Sequence, residues 1–194
     1  MTSAGEWDLP PVPPDKPRSR EVEMETKNIA LSSIFAALYA VLVLVLAPIS
    51  FQLVQVRVAD ALIPLSIIFG WPSVAGVTVG CVVSNVISPM PSVIVDITLG
   101  SIANCIASFL AWKVSGLKHR KNAVNEFLGC LAATAVITFV VGTYLAVITE
   151  MELWVWWLGV GIGSVISINV MGYMLLQVLK KLKLKVKGAT HLER

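Results

Sequence analysis

Six apolar runs occupy most of this chain, each separated from the next by a proline, a glycine or a charged stretch. A bilayer core of about 30 Å calls for about 20 helical residues. The first run, 29–47, meets that length and stops at Pro48. A mixed stretch, 49–58, carries Gln52, Gln55 and Arg57, and a short apolar run, 59–70, follows it with Pro64 inside. At 1.5 Å per residue this second run reaches only about 18 Å. The polar stretch before it is therefore expected to dip into the protein and complete the crossing. Irregular backbone is tolerated at that depth only where protein or a water-filled cavity surrounds it. The third run, 72–88, closes on the Pro89-Met90-Pro91 turn, and the fourth, 93–112, ends at a basic loop. The fifth, 124–148, gives way to Glu150 and Glu152. The sixth, 153–179, opens with Trp154, Trp156 and Trp157, which read as an interfacial aromatic belt.

Charge adds direction to this pattern. Of the 15 Lys and Arg residues, all but Arg57 fall in three clusters. These are an N-terminal group (Lys16, Arg18, Arg20, Lys27), a central group (Lys113, Lys118, Arg120, Lys121) and a C-terminal group (Lys180, Lys181, Lys183, Lys185, Lys187, Arg194). Cations between long apolar runs are the positive-inside signature. Six spans put both termini and the central loop on one side, so all three clusters become cytoplasmic together. The expected fold is an all-α integral membrane protein with six transmembrane helices and both termini cytoplasmic, multi-pass in the cell membrane.

Composition agrees: the hydrophobic fraction is 56% with positive mean hydropathy, above the norm for a soluble domain. Residues 1–28 hold five prolines between Pro10 and Pro17 and are charged and nearly free of aliphatic side chains, so they are expected to be a disordered cytoplasmic tail. The span region, 29–179, reads as one domain, and 180–194 as a basic cytoplasmic tail. The net charge of +3 gives no case for nucleic acid, because the cations flank spans rather than form one patch. Cys81, Cys105 and Cys130 are odd in number and widely spaced within apolar runs, which suggests packing rather than a disulfide framework or a zinc site.

Between Ile29 and Trp112 the only formal charges are Arg57, Asp60 and Asp96. A charge inside a span costs roughly 2.5–3.5 kcal/mol on insertion scales, so it usually has a task. Arg57 and Asp60 either form an ion pair at i, i+3 or point together at a planar ligand, the guanidinium fork at acceptors and the carboxylate at N–H donors. Asp96, Gly100 and Asn104 stand four apart on one helical face, followed by Ala107 and Ala111. That face lines an outward pocket, or else Asp96 merely caps its helix. Gln55, Asn85 and Asn169 add amides able to serve either polarity. In the first run Ser32, Ala36 and Ala40 recur every four residues, a flat stripe for close helix approach, whether within the chain or with a partner.

Enzyme chemistry has little support. The chain lacks the phosphate-loop pattern and the paired-histidine zinc motif, and His119 and His191 both fall in segments read as cytoplasmic. No resident cofactor or metal is expected. A stand-alone channel would need a polar path through the whole bilayer, whereas polar residues here concentrate in the outer half.

Four ordered stretches then carry a resemblance: A-L-Y-A-V-L-V-L-V-L-A-P-I-S (37–50), V-Q-V-R-V-A-D-A-L (54–62), G-V-T-V-G-C-V-V-S-N (76–85) and V-D-I-T-L-G-S-I-A (95–103). The chain resembles the QueT family over 28–179. These proteins are substrate-binding S components of energy-coupling factor (ECF) transporters, assigned to queuosine precursors. The family usually has an aromatic and a Glu where this chain has Val56 and Asp60. The resemblance implies six helices, a small molecule bound from outside, and association with a transmembrane coupling subunit and two separate ATPase subunits. It also implies that small residues of the first helix, here Ala36 and Ala40 beside Ser32, dock the coupling subunit. The pocket it implies takes in Gln55, Arg57, Asp60, Asp96 and Asn104. The expected ligand is a 7-deazaguanine base; another vitamin-like heterocycle is the alternative in the same class.

Overall fold

A computed structural model describes residues 18–52, 55–117 and 123–192, with side chains for 22–52, 55–117 and 123–182. The proline-rich tail up to residue 17 and the basic loop 118–122 lie outside the described residues, as do the side chains of the basic C-terminal group beyond 182. All secondary structure among the described residues is helical.

Helix α1 runs Arg18–Val45, so it begins inside the segment expected to be a disordered tail, and Pro48 sits in the first turn of the short α2 (Ala47–Ser50). Residues 55–57 are irregular and lead into a 3₁₀ helix, Val58–Leu65, which passes directly into α3 (Ser66–Phe69). Helix α4 spans Trp71–Asn85 and α5 spans Val93–Ser115. Helices α6 (Ala123–Val136) and α7 (Gly142–Thr149) are joined by a π-helical segment, Ile137–Val141. Helices α8 (Leu153–Ser164) and α9 (Tyr173–Leu192) are likewise joined by a π-helical segment, Val165–Gly172. Every apolar run of the sequence has therefore become one helical unit.

Among the described residues four units are long and apolar enough to cross a membrane, Val22–Val45, Val93–Ser115, Ala123–Thr149 and Leu153–Leu182, and α4, at 15 residues, is not one of them. The unit Val58–Phe69 is shorter, as its sequence predicts. The outward faces are apolar, with Ile34, Leu38, Val41, Ile94, Leu128, Val147, Leu158 and Ile162 all exposed. An isolated soluble chain would bury such a surface; facing lipid it has no reason to.

Two ends of the bundle can be told apart by contacts. At one, Gly70 packs against the Trp112 indole, the Phe35 and Phe69 rings stand 5.4 Å apart, and Gly129 lies against the Ala111 carbonyl. The starts of α4 and α6 and the end of α5 therefore meet there, together with α1 at Phe35. The other end gathers Ser50, Gln55, Asn85, Asp96 and Tyr144, all of them buried.

Candidate binding site

The irregular stretch Gln55–Arg57 is the keystone of the polar end. It runs against α8 so closely that a Cβ on Gly163 would overlap the Gln55 carbonyl. Only glycine allows that approach, which explains one glycine of the 159–163 run on packing grounds. Protein thus surrounds the irregular backbone, the condition under which such backbone survives at membrane depth. Gln55 and Arg57 are 6% exposed and Asp60 is 4% exposed.

A cavity of about 270 Å³, counting its mouth, opens among these residues. Gln55, Arg57 and Asp60 form one wall, Gly100 and Asn104 of α5 a second, and Ile137, Val141, Val160 and Ser164 a third. The third wall comes from the first π-helical segment and from α8 up to the start of the second. Wide helical turns of this kind recur at functional sites because they re-aim side chains. The space is narrow: only about 10 Å³ of it is open to the centre of a water-sized sphere, room for about one water, so a fused-ring molecule would need the walls to move apart.

Hydrogen bonds sort the polar residues into two groups. In the first, Tyr39 of α1 donates to Asp60 Oδ1 at 2.7 Å, and Asn104 Nδ2 donates to the Tyr39 hydroxyl at 2.7 Å. In the second, Tyr144 of α7 donates to Asp96 Oδ1 at 2.5 Å, while Asn85 Nδ2 donates to the Asp96 carbonyl at 2.9 Å. Gly100 joins the two groups. It lines the cavity, and a Cβ there would stand 2.8 Å from Asn85 Nδ2 and 3.2 Å from the Tyr144 hydroxyl.

Both simpler accounts of the charges fail on this geometry. Arg57 does not pair with Asp60: no carboxylate oxygen among the described residues lies within 4.0 Å of its guanidinium. Arg57 instead reaches Cys81 Sγ at 4.0 Å and sits 5.4 Å from the centroid of the Phe51 ring, with Nε unpartnered. Asp96 does not cap α5, which starts at Ser92 without a side-chain cap; its carboxylate turns inward to Tyr144. Buried polar atoms normally have partners. Among the described residues Arg57 Nε, Asp96 Oδ2 and Asn85 Oδ1 have none.

The face expected on the fourth run is present: Asp96, Gly100, Asn104, Ala107 and Ala111 are all buried along α5. Asn169 stands apart from the cavity lining, donating to Thr134 at 2.7 Å between α6 and the second π-helical segment. The stripe on α1 faces α4, where a Cβ on Gly76 would crowd the Ser32 carbonyl and one on Gly80 the Ala36 carbonyl. Ala40 is buried, but Ser32 and Ala36 also line an open groove with Ser33, Ala75 and Val79. The sequence passes Tyr39 and Tyr144 without notice and offers Cys81 only as a packing residue. A usable signal existed, since all 3 of the chain's tyrosines lie inside apolar runs, where a phenol needs a partner.

A third buried acid was passed over. Glu126, in the first turn of α6 and 0% exposed, accepts from Lys180 Nζ at 2.5 Å and from Gln177 Nε2 at 3.0 Å. It lies at the opposite end from the cavity.

The family model described as QueT transporter matches residues 29–181. No curated protein and no solved structure matches the chain.

Proposed function

The chain belongs to the QueT transporter family, and from that premise we propose that it is the substrate-binding S component of an ECF-type importer for a queuosine precursor of the 7-deazaguanine class. The observation that carries this reading is the buried Arg57 with its free Nε on a cavity shared with Asp60 and Asn104. A deazaguanine offers a carbonyl acceptor beside an N–H and an exocyclic amine. A guanidinium next to a carboxylate is the matching pair, and burial strengthens both interactions. Gln55 and Asn104 supply further amides on the same walls.

Six crossings with both termini in the cytoplasm put the cavity on the outer side, where an importer's binding subunit needs it. In this reading 29–179 is the binding unit and the flanking segments are cytoplasmic tails. Below Asn104 the interior is closed by Ile63, Ala103, Ala107 and Ala111, none of them exposed. A dead-ended pocket supports capture and hand-over rather than a free-running channel. The chain then needs partners for energy: a transmembrane coupling subunit, taken here to dock beside Ser32, Ala36 and Ala40, and two ATPase subunits. It is accordingly read as a non-enzyme.

Isothermal titration of the purified full chain in detergent with 7-cyano- and 7-aminomethyl-7-deazaguanine tests the ligand. Saturable binding of at least one, without ATP or partner subunits, is expected. No binding of either removes the substrate assignment.

A further inference from the structure

We propose that the end of α5 holds the headgroup of an anionic phospholipid, with Lys113 as its cation and the outward face of the helix as the seat of an acyl chain. Leu99, Ile102, Ile106, Phe109 and Lys113 recur every three or four residues, so they share one face of α5. The four apolar members are 37–51% exposed, while Gly100, Asn104, Ala107 and Ala111 occupy the buried face. At 1.5 Å per residue the stripe from Leu99 to Lys113 is about 21 Å long. Half of a bilayer core is about 15 Å, so the stripe has room for a lipid chain and for the headgroup above it.

The end of the stripe is held by a row of rings. Trp71 stands 6.4 Å from Phe109 and Phe109 stands 6.1 Å from Trp112, each pair close to perpendicular. Trp112 rests on Gly70, whose φ of 64° is a left-handed conformation that glycine favours, and a Cβ there would meet the indole at 3.4 Å. The row is thereby fixed to the start of α4. Lys113 Nζ lies 4.6 Å from the Trp112 centroid and 5.4 Å from the Phe109 centroid. Rings attract an ammonium and hold it in place, but they carry no net charge to oppose it.

Charge then selects the ligand. Among the described residues Lys27 has Glu23 and Lys180 has Glu126, whereas no carboxylate lies within 4.0 Å of Lys113. Glu126, the buried acid of this end, is already occupied by Lys180 and Gln177. A seated, unpaired ammonium beside exposed tryptophan, at the level where aromatic side chains meet headgroups, fits a lipid phosphate. A soluble anion or an acidic peptide would meet the ammonium but leave about four turns of apolar stripe without a use. None of these residues lines the cavity, so the site stands whatever the cavity binds.

The test reconstitutes the purified full chain in phosphatidylcholine vesicles. Phosphatidylglycerol or phosphatidylcholine with brominated acyl chains is then included at equal fractions, and quenching of tryptophan fluorescence reads which lipid sits beside the rings. The wild type should prefer phosphatidylglycerol about fivefold, the attraction of one basic residue at a membrane surface. Lys113→Ala should remove the preference and Lys113→Arg should keep it. Phe109→Ala retains the charge but removes a ring beside it, and should lower the preference. Lys181→Ala, at an exposed lysine with no ring contact among the described residues, should leave it unchanged. Equal quenching by the two lipids in the wild type overturns the proposal, as does a preference that survives Lys113→Ala or is untouched by Phe109→Ala. An equal loss in Lys181→Ala also overturns it, because the attraction would then belong to the basic surface at large.

Discussion

The two buried acids Glu126 and Asp96 sit at opposite ends of the bundle, and their surroundings differ in one respect. Glu126 has one carboxylate oxygen on Lys180 and the other on Gln177. Asp96 has one oxygen on Tyr144, a neutral donor, and the other on nothing. The first arrangement is complete and joins α6 to α9. The second leaves one oxygen open among the described residues. A carboxylate whose partner is already in the chain contributes to architecture, whereas one buried with an open oxygen carries a desolvation cost.

The largest expected effect comes from breaking the complete pair. Lys180→Met leaves Glu126 buried without its cation, which costs about 3–5 kcal/mol for a fully enclosed pair. Lys180 is 33% exposed, so water offsets part of that loss and the lower end applies. Thermal melting of the purified variant should fall by many degrees while ligand affinity stays within about twofold, since the two ends share no contact. A parallel loss of affinity would show that the ends are coupled.

Next comes the incomplete end. Asp60→Asn should weaken ligand binding by about 1.5–3 kcal/mol, or roughly ten- to a hundredfold, with the melting temperature of the empty protein unchanged or raised. Removing an uncompensated charge relieves strain, as expected where stability and binding conflict. Unchanged affinity with a lowered melting point would make Asp60 a structural partner of Tyr39 only. Tyr144→Phe tests the same idea more gently. It deletes the donor to Asp96 and should cost about 1 kcal/mol of binding, and a double-mutant cycle with Asp96→Asn should show the two to be non-additive.

The smallest effect belongs to a control on α1. Lys27 and Glu23 also meet at 2.5 Å, but with side chains 71% and 62% exposed. Lys27→Ala should change stability by no more than about 0.5 kcal/mol, measured by the same melt. A larger loss would mean that ion-pair geometry matters more here than burial, and the contrast between Glu126 and Asp96 would need another cause.

Much of this molecule is decided locally and is legible in the sequence. Run length and Pro48, Gly70 and the Pro89–Pro91 turn separate the helical units, because a helix needs only neighbouring residues to satisfy its backbone. The α5 face of Asp96, Gly100 and Asn104 follows from 3.6-residue periodicity alone. The shortness of the second unit shows in its length, and the irregular approach through Gln55 and Arg57 follows from that. What the sequence could not rank was the partnership of each charge. Arg57 and Asp60 are neighbours in sequence yet do not pair, while Asp60 finds Tyr39 21 residues away and Asp96 finds Tyr144 48 residues away. Glu126 finds Lys180 across 54 residues. Hydrogen bonds are short-ranged and directional, so which acids are satisfied and which are left open is settled only when distant helices pack.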